Sequence, residues 1–455
     1  MTDMTATDVS VASSSYSGLY KAVWRWHFYA GLLVLPFMIS LAVTGALYLF
    51  DDELDAVLYR SQLQVEQVVD AKVSHADLVA AALTAVPEGK SFSYAPPATE
   101  TSSARVGVKD STGERLFVYV NPYSAEVLGV IPREGHIMRM ISKIHSLAYF
   151  GKVANYVIEL VACWAIMLTI TGIYLWWPRG QAGGVVTVRG TPKKRLFWRD
   201  THAVLGLFTA GFIAFLAMTG LPWSVWWGAE ANKLAAESGL GYPPALWDEV
   251  PSSTVPSAEV METTSWSLEN APMPLSTVTG AGVSPISLDT AVSTFNQLAI
   301  TPGYSIDLPS GAEGVYSASI FPDLVENQRM IHLDQYSGQP IIDLHYADYG
   351  PVAKVMEWGI NVHMGQEFGL VNQLVLLLAC LSIVMLAVSG AVMWWKRRPA
   401  GGLGAPRIPA DYRIARGVLL IALALCLIFP LMGASLIVAL IIDFVITRVS
   451  GRKAA

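Results

Sequence analysis

Cysteine is scarce in this sequence: Cys163, Cys380 and Cys426 are the whole supply, and all three fall inside apolar runs. That placement excludes a disulfide framework and a Cys-rich metal site. Charge is sparse as well, at 15% of residues against 53% hydrophobic. With a mean hydropathy of +0.44, this exceeds what a soluble core explains and implies a polytopic membrane protein. The first twenty residues lack the basic start and apolar stretch of a cleaved signal peptide, so Phe28–Phe50 is expected to remain as a first span. No phosphate loop, dinucleotide fingerprint or nucleophile elbow occurs, which leaves no visible site for NAD, FAD or ATP. Redox chemistry in such a chain needs a bound cofactor.

What is present is organised around Asn361–Arg398, which opens on His363 and ends in Trp394, Trp395, Lys396, Arg397 and Arg398. Between them Leu370–Met393 carries no charge, and as a helix it reaches roughly 36 Å, enough for a bilayer core of about 30 Å. Ile144–Arg179 is a copy. His145 precedes Phe150-Gly151, Gly172 and Trp176-Trp177 by the same distances at which His363 precedes Phe368-Gly369, Gly390 and Trp394-Trp395. A second pair matches likewise, since His27 stands before Gly31 and Thr44-Gly45 as His202 stands before Gly206 and Thr219-Gly220. The expected fold is an internally duplicated, polytopic α-helical membrane protein with two small α+β modules.

In chain order, 1–20 reads as a disordered tail and 21–50 as the first span. Residues 51–144 follow as a first module, with a helix over 75–86 capped by Ser74, and a strand at Leu116–Val120 before the turn Asn121–Ser124. The second span, 145–179, returns to a basic loop at 180–200, and 201–227 is the third span. Residues 228–360 form the second module, irregular over 240–285. A helix is expected from Ser284-Pro285 to about Leu298, then strands near Ser305–Leu308, Val315–Ile320 and Met330–Asp334. In 228–360, 16 acids stand against Lys233, Arg329 and Lys354, a charge that attracts cations. The fourth span, 361–398, leads to a second basic loop at 399–416. Then 417–447 is either one helix bent at Pro430 or a hairpin, ahead of the tail 448–455. The basic loops place the N-terminus and both loops in the cytoplasm, and the modules on the other side.

The chain resembles the PepSY-associated transmembrane family over residues 21–447. The motifs that carry the resemblance are W-R-W-H-x3-G…T-G (Trp24–Gly45), H-S-L-x3-G…T-G-x3-W-W-P-R (His145–Arg179), the D-x-Y-S-G-x-P turn (Asp334–Pro340) and H-M-G-Q-x-F-G…S-G-x3-W-W-K-R-R (His363–Arg398). The first module departs from the pattern: its turn reads N-P-Y-S-A-E, with Ala125 in the glycine position. The resemblance implies a PepSY fold for both modules and a bacterial inner-membrane location, with the modules periplasmic. It also implies kinship with haem-containing ferric-siderophore reductases.

A histidine at the end of a span is commonly an interfacial or packed residue. Here a duplication brings each beside its copy, the arrangement in which two imidazoles hold one haem iron between helices. The candidate axial ligands are His27 with His202 on the cytoplasmic side and His145 with His363 on the periplasmic side, for two haem b groups. A non-haem metal, a proton path and a structural role are the alternatives. His136 is a further candidate beside the outer pair, while His75, His332 and His345 read as surface, strand and loop residues. Glu159 and Asp443 are acids inside apolar runs, where pairing or proton uptake is expected.

On a continuous helix His363 would stand roughly 45 Å above Trp394, beyond the bilayer, unless Gly365 and Gly369 break it. The expected activity is a reductase that passes electrons to a periplasmic ferric siderophore. Its donor would be a quinol or a cytoplasmic reductase, its surroundings membrane lipid, and nucleic acid is no partner. A membrane-anchored PepSY regulator or binding protein without redox activity is the alternative. A permease would want polar residues at mid-membrane, which the spans barely supply.

Overall fold

The uncharged runs become helices in the computed structural model, which describes residues 6–439 and 441, apart from 67, 70, 179–182, 249, 278–282, 400–403 and 405–422. The helices are α1 (Ala6–Tyr48), α2 (Asp51–Leu58), α3 (Arg60–Leu63), α4 (His75–Ala85), α5 (Ile137–His145), α6 (Lys152–Trp176), α7 (Arg195–Gly220), α8 (Trp227–Glu237), α9 (Ser257–Val260), α10 (Leu288–Gln297), α11 (Pro351–His363) and α12 (Gly369–Arg397). Among the described residues, four segments are long and apolar enough to cross a bilayer: Gly18–Tyr48, Lys152–Trp176, Arg195–Trp223 and Gly369–Arg397. The chain divides into a helical unit (1–46, 145–227, 377–455) and a second unit (47–144, 228–376).

In the helical unit, Ala42, Ala165, Ile213, Cys380 and Ile383 form a buried cluster contributed by α1, α6, α7 and α12. A second cluster joins Cys163, Ile166 and Leu221 to Phe429 and Met432. The segment around Pro430 is helical over 423–428 and 430–439, with Phe429 and Gly433 keeping their i−4 backbone bonds. The rest of 417–447, Asp443 included, lies outside the described residues. Residues 6–20, expected to be disordered, are helical, because extending a helix already nucleated by a long span costs little per residue.

Both spans that open on a histidine are shorter than the sequence suggests. Helix α5 ends at His145, Leu147 and Gly151 take left-handed or positive φ (56° and 96°), and α6 starts only at Lys152. Helix α11 ends at His363, and Gly365 and Gly369 turn the chain with φ of 85° and 55° before α12. Glycine is suited to these conformations because it has no Cβ to clash. His145 and His363 therefore close short helices of their own, and His363 is not on a continuous helix with Trp394.

The second unit is built on helix-then-strands, twice. Ser74 caps α4 by accepting from the Asp77 N–H, and β1 (Lys90–Ala95), β2 (Ala104–Lys109), β3 (Arg115–Val120) and β4 (Val127–Pro132) follow. After a small pair, β5 (Ser252–Pro256) with β6 (Pro272–Pro274), α10 precedes β7 (Ser305–Asp307), β8 (Val315–Ile320), β9 (Arg329–Asp334) and β10 (Pro340–His345). Its cap is Ser287, accepting from the Thr290 N–H, three residues later than Ser284. Strand alternation turns Ala104, Val106 and Val108 inward with Ile306, Ala318 and Ile331, where α4 and α10 add Leu78, Ala291 and Phe295.

The two sets are not separate modules but one antiparallel sheet, ordered β10-β9-β8-β7-β1-β2-β3-β4. They join where β1 meets β7, with Ser93 opposite Asp307 and Tyr94 opposite Ile306. Pairing there covers an edge that each set alone would leave open. The doubtful turn is also resolved. Ala125 adopts φ 57° where Gly338 has 69°, and each donates its N–H to the first residue of the turn, Asn121 or Asp334. Ala125 thus keeps the geometry of the glycine turn at a cost of roughly 1 kcal/mol.

Across the seam, the face opposite the α4/α10 core carries a row of paired polar residues: Ser93, Asp307, Ser317 and His332, all under 9% exposed. Burial, then the neighbouring Glu262 carboxylate, push the Asp307 carboxyl up to about 7, while the Glu262 backbone N–H and Arg115 and Arg105 pull it down. Its folded value is raised above the unfolded one, so the stability it contributes is complete below about pH 4 and is lost as pH rises to about 7. Asp307→Asn should therefore leave the unit's stability near unchanged at pH 4 and raise it at pH 8, by up to about 4 kcal/mol. Melting of the full chain in detergent at both pH values checks this; a variant with the wild-type pH dependence contradicts it.

Candidate functional site

Three of the four repeat histidines lie in the helical unit, and the structure holds them in one way. His27 Nδ1 is 2.8 Å from Thr171 Oγ1. His145 Nδ1 is 2.9 Å from Thr44 Oγ1. His202 Nδ1 is 3.1 Å from Ser389 Oγ and 3.0 Å from the Leu386 carbonyl. In each case the glycine after the hydroxyl residue lies under the ring: a Cβ on Gly172, Gly45 or Gly390 would come within 3.3, 3.3 and 3.4 Å of the respective Cε1. The Thr-Gly and Ser-Gly pairs, which mark the repeat in the sequence, are thus the seats of the histidines. On α1 and α6 the arrangement is reciprocal, since each helix carries the seat for the other segment's histidine.

The direction of these bonds follows from where the hydroxyl protons go. Thr171 Oγ1 donates to the Met167 carbonyl at 2.8 Å, Thr44 Oγ1 to Ser40 at 2.6 Å and Ser389 Oγ to Leu386 at 2.7 Å. A hydroxyl has one proton. With that proton given to the helix backbone, the oxygen accepts, and Nδ1–H of the imidazole donates. His202 is fixed twice, because a carbonyl can only accept. At His27 and His202 this leaves Nε2 as the nitrogen without the proton, the form in which neutral imidazole binds a metal. Burial also pulls His145 down to about 4, against an upward pull from the Leu41 backbone, so its ring is neutral at pH 7.

His27 and His202 line a single cavity of about 530 Å³ among α1, α6, α7 and α12, within the usual range for cofactor sites. Apolar side chains such as Leu35, Met38, Leu168 and Ile383 make most of its wall, with Gly31, Gly172, Gly206 and Gly390 where backbone comes close. Arg195, Arg199 and Arg397 supply cations, and the Arg397 guanidinium also lies 4.7 Å from the Trp24 ring centroid. Two metal-ready imidazoles, an apolar slot bordered by glycine, and guanidinium groups suit a flat apolar macrocycle bearing carboxylates. The residues present therefore fit haem. Thr44 and His27 are 17 positions apart on α1, so the His145 seat is roughly 25 Å along the axis from the His27 ring.

His363 ends α11 in the second unit, and its pairing with His145 rests on the sequence repeat. The other histidines have partners of their own. His136 stacks on Tyr59 at 4.4 Å, with Nε2 3.5 Å from Asp55. His75 bonds the Tyr94 hydroxyl, so it is more than a surface residue. His332 is buried against Ser317, and His345 lies 3.5 Å from Asp343. Glu159 accepts from the backbone N–H groups of Trp226 and Trp227, which gives this buried acid a structural task. Trp164 donates to Ser435, and Trp176 lines the cavity. Missed entirely in the sequence were Thr171, Ser389 and Thr44 as partners of the histidines. The signal was there in their fixed offsets.

No curated protein matches the chain. The family described as the PepSY-associated TM region matches residues 24–397, from the Trp24 of the first histidine motif to the Arg397 of the last. On that match, over most of its length, the chain belongs to the PepSY-associated TM region family.

Proposed function

We propose that this chain is an internally duplicated haem b reductase of the bacterial inner membrane, carrying electrons to a ferric siderophore on the periplasmic side. The observation that supports it most is the pair His27 and His202 on the wall of one cavity, each with Nδ1 within hydrogen-bond distance of an oxygen, which leaves Nε2 for a metal. Haem held there would supply a one-electron couple inside the apolar layer. His27 and His202 would hold its iron, and Arg195, Arg199 and Arg397 would pair with its carboxylates. The apolar wall excludes water. A second haem, at His145 and His363, is inferred from the repeat alone.

The basic loops, read by the positive-inside rule, orient the first cavity to the cytoplasm, where a quinol or a cytoplasmic reductase would deliver electrons. At the other end, the excess of acids in 228–360 favours a cationic ferric complex. Reduction to Fe(II) weakens binding by hard oxygen donors and releases the metal without cleaving the siderophore. The absorption spectrum of the purified protein tests the reading. A Soret band that shifts with dithionite, with low-spin α and β bands, and re-oxidation by a ferric siderophore are expected. A colourless protein ends it and leaves the membrane-anchored PepSY binding protein as the alternative.

A further inference from the structure

We propose that Thr171 is a positioning residue that alone fixes the tautomer and plane of His27, while at His202 the corresponding residue, Ser389, is duplicated by the Leu386 carbonyl; this rests on the haem reading above. The two histidines that line the cavity look equivalent in the sequence, and their seats are not. His27 Nδ1 has Thr171 Oγ1 as its hydrogen-bond partner, at 2.8 Å. His202 Nδ1 has Ser389 Oγ at 3.1 Å and the Leu386 carbonyl at 3.0 Å. Both hydroxyls spend their proton on backbone carbonyls, Met167 and Leu386 respectively, so both act only as acceptors.

Loss of the hydroxyl therefore has unequal consequences. Among the described residues Thr171 Oγ1 is the hydrogen-bond partner of His27 Nδ1, and without it the Nδ1–H is left without an acceptor there. The ring then gains by moving the proton to Nε2, the nitrogen needed for the metal, or by turning away. Without Ser389 Oγ, the carbonyl still accepts and His202 keeps its tautomer. The acceptor on Nδ1–H also makes Nε2 a stronger donor, which favours the ferric state of a bound haem. Removing it from His27 moves the midpoint potential to more positive values.

The asymmetry carries over to the third seat. At His145, Thr44 Oγ1 is again an acceptor, with its proton on Ser40. Thr219 has its hydroxyl prepared in the same way, donating to Phe215 at 2.7 Å. The committed hydroxyl is thus a repeated device of the spans, and a backbone carbonyl joins it both at His202, through Leu386, and at His145, through Leu41.

The test compares Thr171→Val, Thr171→Ser and Ser389→Ala in the full-length protein, reading haem dissociation to an excess of apomyoglobin and midpoint potential by optical titration. Thr171→Val is expected to release the His27/His202 haem about 10-fold faster, the lower end of the effect of losing such a partner, and to shift the potential positive. Thr171→Ser should restore both to within about twofold of wild type, and Ser389→Ala should stay within about threefold. The proposal falls if Thr171→Val leaves rate and potential unchanged, or if Ser389→Ala matches it. Nitrogen-15 shifts of histidine in haem-free protein give a separate readout: wild type and Ser389→Ala should show His27 protonated at Nδ1, and Thr171→Val should not. A wild type that takes up no haem when haem is offered, yet shows this tautomer, overturns the haem reading and leaves the positioning intact. A wild-type His27 protonated at Nε2 overturns the positioning itself.

Discussion

Replacing His202 with alanine is expected to empty the cavity between α1, α6, α7 and α12, or to leave it with a five-coordinate, high-spin haem. One axial bond is removed outright, so the loss of affinity should exceed about 100-fold, the upper end of what a missing second-layer partner costs. His27→Ala should look the same, because both imidazoles line the same cavity and both present Nε2. The haem content of each purified variant, measured as the pyridine haemochrome, should fall, and any haem retained should show an axial high-spin resonance. His345→Ala is the fitting control: the residue is half exposed, lies in the second unit and is not part of any of the four spans. It should retain the wild-type spectrum. If His27→Ala and His202→Ala both keep full haem content and a low-spin spectrum, the pair does not ligate the iron.

The four spans, and the motifs that seat His27, His145 and His202, were legible because both rest on local features. A span is a run of apolar residues long enough for a bilayer, and the histidines recur at fixed offsets from glycine and tryptophan. Caps were legible where a serine stands three residues before a free N–H, as at Ser74; the same rule misplaced the start of α10, because Ser284 and Ser287 offer it equally. The strands at Val315–Ile320 and Arg115–Val120 stood out by their β-branched and aromatic residues. Lys90–Ala95, with two serines and a lysine among six residues, did not.

What stayed hidden depends on residues far apart in the chain. The pairing of β1 with β7 joins Ser93 to Asp307, and no local pattern announces it. The seats of the histidines are another case. Thr171 and His27 are 144 positions apart, and they meet because α1 and α6 run in opposite directions, as the second pair, Thr44 with His145, also shows. The sequence held the hint that each histidine motif ends in a hydroxyl residue and a glycine. Assigning one motif's ending to the other motif's histidine required the packing.

The glycines of those seats carry the other large prediction, because they test space where Thr171 tests a hydrogen bond. A Cβ on Gly172 would lie 3.3 Å from the His27 Cε1, and one on Gly390 would lie 3.4 Å from the His202 Cε1. An alanine at either position asks the ring to yield by a few tenths of an ångström, and valine adds two methyl groups in the same gap. Interiors packed at crystal-like density answer such overfilling with off-rotamer side chains and backbone shifts, at about 1–3 kcal/mol. Here the side chain that must move is the proposed ligand, so the cost falls on haem binding as well as on folding. Gly172→Val and Gly390→Val are therefore expected to lose at least 10-fold in haem affinity by this strain alone, with alanine variants intermediate. Gly211 on α7, the helix that carries His202, has nothing within 4 Å of its Cβ position, and Gly211→Ala should bind haem as wild type does. Titration of haem into the purified, haem-depleted variants measures the order. Equal affinities for Gly172→Val and Gly211→Ala would show that the ring does not rest on the glycine, and would remove the physical reason for a glycine after the hydroxyl residue at each seat.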